Sequence, residues 1–434
     1  MALLQTLMRY GVVGGAAALI HLLVLLLLPR LGLPLPLANL SGYLAASLWG
    51  YVMHALLTFR PQTAGERFPR RWLLLQVLIN LSLTLGLPQL LPLLARHPLG
   101  LALLVFTPTA VNALVWWLAA EQVRRLRCSD ALPATALGFH ADDLGLCSAV
   151  NRAVFALADQ GLLQGTSVML NGAALPEAIA GLAQRPQLNV VLHLVLTEGP
   201  PLADPARVPA LLNSRGALQL GIARLLLLSF LPRRLDWPAL RQQRQQLALE
   251  IDAQLQRFAE LWPHRPLQID GHQHVHLMPV VWQQLLASST GHSIRWIRTV
   301  REPWPAGLPL KEWGAVVLGA GWLKWLLLVG LSHWQAPSLV RRGIATNRWF
   351  AGVLCTGRMG TAAVNASLRS LRAHQLDTPQ QPALVLLHPA LPLANDNDTE
   401  LAGFAQSQGF YRSSWRQREA QALESGAEWM QRTK

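Results

Sequence analysis

Charge is scarce in this 434-residue chain, and acidic charge scarcest: 23 Asp and Glu face 37 Lys and Arg, a formal net charge of +14, and only 14% of residues are charged against 52% hydrophobic. That balance is unusual for a wholly soluble protein. Cysteine is also rare. Cys128, Cys147 and Cys355 are scattered without a CxxC, which excludes a disulfide framework and a zinc ribbon and fits a reducing compartment. The basic residues flank apolar runs instead of forming a stripe with interleaved aromatics, so no nucleic-acid partner is expected. The scarcity is uneven. Up to Arg127 there are ten Arg, no Lys and two acids, Glu66 and Glu121; beyond it charge density rises and apolar runs shorten. Against this background two adjacent carboxylates in "FHADDLG", residues 139–145, stand out.

A bilayer core about 30 Å thick is crossed by roughly 20 apolar residues of helix. Four segments qualify, at about 10–29, 37–57, 72–95 and 98–120, predicting an N-terminal all-α four-span transmembrane bundle over residues 1–127. The first resembles a signal peptide with Arg9 as its charged flank, yet it ends "LLLLPRLG" without a small-residue cleavage site, and three more segments follow. It is read as an anchor. Pro88, Pro92 and Pro108 fall inside the last two segments and predict kinks that neighbouring helices accommodate. Arg9, the loop arginines 60, 67, 70 and 71, and "EQVRRLR" lie on one side, against Arg30 and Arg96 on the other. Both termini and the C-terminal domain are therefore expected on the cytoplasmic side of a bacterial inner membrane.

This half resembles the GtrA-like family of small four-span proteins, associated with moving polyprenyl-phosphate-linked sugars across membranes. The resemblance rests on "RYGVVGG", "LANLSGYLAA" and "TFR". Where the family shows an Asn followed by basic residues before that Thr-Phe, this chain has His54 and apolar residues. A plain membrane anchor is the alternative role.

After a linker at 128–134, short apolar runs alternate with helix-like stretches, the pattern of an α/β domain. Four runs end in polar residues: "ATALGFH" before Asp142 and Asp143, "LNVVLHL" with His193, "PLQID" before "GHQHVHLMP", and "PALVLLHPA" with His388. In α/β folds the C-terminal strand ends converge on one site, so these residues can meet. Each has a plainer reading. The two aspartates can cap the following helix. His193 can be a satisfied, half-buried histidine, and His388 before a proline a turn residue. At a strand's period of two, His272, His274 and His276 would share a face, and clustered imidazoles suit a divalent metal.

The segments "HADDLGLCSAVNRAV", "GTSVMLNG", "VVLHLVLTEGPPL", "IDGHQHVHLMP" and "LLHPA", in that order over 135–412, resemble the YdjC-like (ChbG/HpnK) carbohydrate deacetylases. "HPA" and "RRGIATNRWFAGVLCTGRMG" are closer to the hopanoid-associated branch. The resemblance implies a C-terminal α/β fold, a distorted (β/α) barrel of the YdjC-like/NodB-like deacetylase type, followed by a helical tail at 413–434. It implies one divalent metal ion, Mg²⁺ or Zn²⁺, held by Asp143, His193 and His272, with Asp142 as catalytic base and His388 as general acid. Asn171, Thr197, Asp270, His274 and His276 are left as supporting or substrate-contacting residues.

The chemistry is consistent with those roles. An Asp–His–His set leaves positions on the cation for water and a carbonyl oxygen, and metal binding lowers the pKa of water from 15.7 towards about 7. Adjacent residues in extended chain point in different directions, which permits one Asp to hold the metal and its neighbour to take the water's proton. The expected function is a membrane-anchored N-deacetylase acting on an amino sugar carried by a lipid, such as a polyprenyl-phosphate sugar or a hopanoid glycoside. The alternatives are a lipid-linked sugar translocase with a glycan-binding, non-catalytic domain, and another metallohydrolase such as a phosphoesterase. Expected partners are the sugar, membrane lipid and, optionally, a second copy of the chain.

One further stretch has no place in the site. "EWGAVVLGAGWLKWLLLVGLSHW", residues 312–334, is apolar and rich in Trp; "GIARLLLLSFLPRR" is a second apolar run. It reads as a helix lying in the membrane interface with Lys324 reaching outward to phosphate; a buried barrel helix and a fifth span are the alternatives.

Overall fold

In the computed structural model the described residues are all but 1, 64, 91–97, 130–136, 232–236, 289, 320, 376–382, 395–398 and 433–434. Two compact units emerge, Met1–Cys128 and Ser129–Lys434. Most of the expected linker lies outside the described residues.

The first unit is helical: Ala2–Arg30, Leu35–Met53, Arg70–Leu90 and Pro98–Ser129, the last running one residue past the division. Among the described residues only Met8–Arg30 in this unit is long and apolar enough to cross a membrane, where four clear spans were expected. Leu35–Met53 falls short because Pro36, Asn39, two Ser, two Gly and two Tyr dilute its leucines. The expected third span at 72–95, with Pro92, runs into residues that are not described. The unit is nevertheless apolar on its outside. Leu22, Leu23, Leu26, Leu44, Leu48, Leu74, Leu78 and Trp117 are exposed, a surface that water solvates poorly. Inside, Phe68 stacks on Trp116 with centroids 5.3 Å apart, and Tyr51 donates to the Phe68 carbonyl. His54, at the departure from the GtrA-like pattern, opens a π-helical turn; its Nδ1 lies 3.0 Å from Thr58 Oγ1.

The second unit is built on seven strands: β1 Leu137–Leu144, β2 Gly165–Val168, β3 Asn189–Leu194, β4 Leu267–Gly271, β5 Ile294–Ile297, β6 Phe350–Ala351 and β7 Ala383–Leu387. They form one parallel sheet in the order β5-β4-β3-β2-β1-β7-β6. Parallel neighbours need crossovers, and a helix follows each strand but the last before the next begins. Ser148–Asp159 shows why: its buried Ala149, Val150, Ala153, Val154, Leu157 and Ala158 recur at helical spacing and form one face. Strand β3 is buried from Val190 to Leu194, as a strand covered on both faces must be. The sheet curls into a half-barrel, and its two edges are brought together by a parallel bridge between Trp296 on β5 and Ala345 on the segment leading to β6.

Candidate active site

The two aspartates sit on a β-bulge. Ala141 pairs with Thr166 and Leu144 with Val168, so three steps along β1 match two along β2. Asp143 takes up the extra residue at φ +69°, a region that non-glycine residues rarely occupy and that clusters at functional sites. The divergence of the two carboxylates therefore rests on this bulge and not on the plain alternation of extended chain. Past the bulge the backbone passes within reach of the loop after β2. A Cβ on Gly172 would lie 2.1 Å from the Gly145 carbonyl oxygen, so only glycine fits there.

Asp143 is fully buried, and its Oδ1 lies 3.5 Å from His193 Nε2 and 3.4 Å from His272 Nδ1. Neither oxygen of Asp143 has a hydrogen-bond partner, although Arg416 Nη2 stands 3.0 Å from Oδ2. Burial opposes its ionisation, but Arg416 and the two imidazoles outweigh burial and hold its carboxyl well below the usual carboxylate range. An orphaned carboxylate facing two imidazole nitrogens is the donor set a divalent cation takes.

Each imidazole is aimed by a second carboxylate. His193 and Asp270 are register partners on β3 and β4, and His193 Nδ1 donates to Asp270 Oδ1 at 2.6 Å, leaving Nε2 for Asp143. His272 Nε2 donates to Glu198 Oε1 at 2.8 Å, leaving Nδ1. Glu198 also accepts from Tyr411 Oη (2.7 Å) and Ser407 Oγ (2.6 Å). Carboxylates behind ligand histidines fix the tautomer and the ring plane. Asn171 braces the Glu198 loop by donating to the carbonyls of Glu198 and Pro200, each at 3.2 Å, and Thr197 is buried beside Glu198 without a bond from its hydroxyl.

Asp142 faces a different partner. Arg298, fully buried, forks onto it with Nη1 and Nη2 each 2.9 Å from an oxygen, and reaches Asp270 Oδ2 at 2.5 Å. Ser167 Oγ donates to Asp270 and lies 2.7 Å from His140 Nε2. Burial opposes ionisation of both aspartates, yet Arg298 and His193 lower Asp142 and bring Asp270 to about 2. His140, Asp142 and Asp270 also cluster closely enough to suggest a metal, but the guanidinium already supplies their positive charge.

The "HQHVH" motif is not a strand. It forms a tight turn, His272–Leu277, with Gln273 and His274 at φ +53° and +62°, so its three imidazoles diverge. His272 joins Asp143, His274 lines the cavity as a buried imidazole that burial keeps neutral, and His276 Nε2 donates to the Arg298 carbonyl at 3.0 Å.

A cavity of about 360 Å³ opens over this cluster, lined by Asp142, His193, His272, His274, His388 and Lys324 among others. His388 packs edge-on to Phe410 (5.1 Å), with Nδ1 3.6 Å from Glu419 Oε2. Lys324 enters the cavity instead of reaching outward as the sequence suggested; burial lowers its pKa to about 8 against the support of Glu302 and Asp142. A larger cavity of about 510 Å³ lies at the other end of the strands, by Asn189, Gln268 and Leu384, away from the Asp143 cluster.

The structure thus brings Asp142, Asp143, His193, His272 and His388 together, with Asp270 and His274 beside them; Asn171, Thr197 and His276 stand one layer back. Sequence reading passed over Arg298, Glu198, Tyr411, Arg416 and Glu419. Glu198 adjoins Thr197 in "TEG" and was within sight. Arg416 and Glu419 fall in the segment set apart as a tail, whose helix Trp415–Arg432 places both beside the site.

Residues 136–431 match the family described as YdjC-like protein, and residues 9–124 match the GtrA/DPMS transmembrane domain. A chitooligosaccharide deacetylase of Enterobacter sp. is 34% identical over 143 residues, 33% of this chain and 51% of that protein. A carbohydrate deacetylase of Mus musculus is 33% identical over 176 residues, 40% and 53% of the two chains. The chain thus spans about half the length of these curated relatives. A crystal structure from Enterococcus faecalis aligns with 68% of this chain and 92% of its own at 17% identity and a TM-score of 0.43. By the match over residues 136–431, the chain belongs to the YdjC-like family, and it carries a GtrA/DPMS transmembrane domain at residues 9–124.

Proposed function

We propose that the protein is a metal-dependent carbohydrate N-deacetylase whose amino-sugar substrate is carried by a membrane lipid. The observation that carries this reading is the buried carboxylate of Asp143, whose Oδ1 accepts no hydrogen bond and faces two imidazole nitrogens at 3.4–3.5 Å while Arg416 pairs with its Oδ2. Asp143, His193 and His272 would hold the ion; when bound, Zn²⁺ or Mg²⁺ supplies Lewis-acid polarisation of water and of the amide carbonyl. Asp142, kept ionised by Arg298, accepts the proton of the attacking water. The water oxygen bonds to the carbonyl carbon, the C–N bond breaks, and His388 gives a proton to the departing amine; acetate and the free amino sugar leave. Both Asp142 and His388 line the one cavity.

Acetate release from N-acetylated amino sugars, abolished by a chelator and restored by added metal, tests the activity. Phosphate release in its place would point to a phosphoesterase, and glycan binding without turnover to the translocase reading. The arginine asymmetry supports a cytoplasmic catalytic domain, and a reporter fused after Lys434 that reads out on the far side would overturn that placement.

Lys324 supports an anionic substrate, such as a sugar linked through phosphate. A charge-assisted hydrogen bond contributes about 1.5–3 kcal/mol, so Lys324→Met should raise KM for the anionic substrate about 10–100-fold with a smaller change in kcat. Asp142, Glu302 and His274 are the titratable groups that act on Lys324. Its ammonium form prevails below about pH 8, so wild-type KM should rise as pH passes 8, and Lys324→Arg should flatten that rise. A KM indifferent to Lys324→Met would remove the argument for an anionic substrate.

A further inference from the structure

The apolar stretch after β5 is not one helix. It forms two, Leu310–Leu318 and Gly321–Arg342, meeting at 78°. The longer one has two faces. Leu328, Leu331, Ser332, Gln335, Ala336 and Leu339 are buried against the domain, and Lys324 on that side lines the catalytic cavity. Trp322, Leu323, Leu326, Trp334 and Val340 are exposed, recurring at i, i+1, i+4, i+12 and i+18, which is a single stripe along the helix. At the end of the shorter helix Val317 and Leu318 are exposed too, Leu318 at 90%. Beside the bend Trp304, itself exposed, stacks on Trp313 at 4.5 Å and meets Trp325 edge-on at 5.6 Å.

Exposed Leu, Val and Trp gathered on one helix face, interrupted by His333, are costly in water and mark an interaction surface. Three features identify the occupant. The stripe mixes aliphatic side chains with Trp, the residue that favours the headgroup boundary of a bilayer. Exposed cations frame it, Lys311 near one end and Arg341 and Arg342 at the other, as anionic lipid phosphates require. The same chain carries a transmembrane domain, so a bilayer is always within tether length. We propose that this bent helix pair lies in the membrane–water interface, docking the catalytic domain on the bilayer through its outer stripe while Lys324 on its inner side reaches the cavity. The 78° bend and the buried inner face leave no straight apolar rod to span the membrane. This surface stands independently of the deacetylase reading.

The test uses the full chain in nanodiscs of phosphatidylethanolamine and phosphatidylglycerol doped with a phospholipid bearing a diazirine in its acyl chain. Photolysis and mass spectrometry of the unmodified protein should place adducts within 310–342 as well as within Met8–Arg30. Adducts confined to the N-terminal unit would overturn the proposal. A second measurement places nitroxides at Leu326→Cys and Trp334→Cys, with Gln256→Cys, exposed on the helix Pro238–Leu261, as an aqueous control, all in a Cys128→Ser background. The first two should prefer oxygen over a nickel chelate, at a depth of about 5–10 Å. Aqueous accessibility at both would overturn docking. So would a mid-bilayer depth, which would mean a broken span, or spin–spin broadening that grows with protein density, which would mean a second copy on the stripe.

Discussion

Asp143→Ala, His193→Ala and His272→Ala should each abolish bound divalent metal and turnover together, whereas Asp142→Asn should keep the metal and lose about 10²–10⁴-fold in kcat. The split follows from the bulge in β1. Asp143 is turned at φ +69° into the cluster with the two imidazoles, while Asp142 is held by Arg298 at the wall of the cavity. Asp142→Asn leaves Asp270 to balance the buried guanidinium, so this variant should fold. Metal content by mass spectrometry and acetate release, measured on the same preparations, separate the two outcomes. Loss of metal from Asp142→Asn as complete as that from Asp143→Ala would end the proposed division of labour.

Arg298→Met should destabilise the second unit by about 3–5 kcal/mol, because it strands the buried carboxylates of Asp142 and Asp270 without their counter-charge. It should also move the acid limb of the rate profile to higher pH. With Arg298 in place Asp142 is ionised below the ordinary carboxylate range; without it burial dominates and the carboxyl holds its proton longer. The same logic fixes the pH window of stability. Asp270 titrates at about 2 in the folded chain against an ordinary 3.8, so its contribution is complete above about pH 4 and is lost as pH falls towards 2. Denaturant unfolding from pH 7 down to pH 3 should show that loss in wild type, and Arg298→Met should show less of it. Arg298→Lys keeps the charge without the fork and should recover part of both effects. An acid limb unmoved in Arg298→Met would show that Asp142 does not set it.

The sequence by itself singled out the residues to which the chemistry is assigned under the proposed function. Asp142, Asp143, His193, His272 and His388 each end an apolar run, and a parallel α/β fold delivers strand ends to one place, so their convergence was legible before any coordinates. It also showed that the first 127 residues differ in kind from the rest, because apolar run length and missing charge are local properties. What it could not determine depends on contacts between distant segments. Arg298 lies 156 residues from Asp142, and Arg416 reaches Asp143 from a helix that reads locally as a polar appendage. "HQHVH" has the alternation of a strand, but two left-handed residues turn it into a tight bend, and backbone sign is not written in side-chain periodicity. Lys324 lies at the centre of an apolar stretch, where hydropathy alone sends its ammonium outward to lipid phosphate. Only the packing of the helix Gly321–Arg342 decides that it faces inward, because the same rotation that buries Leu328, Leu331 and Gln335 carries Lys324 to the cavity and leaves Trp322 and Leu326 outside.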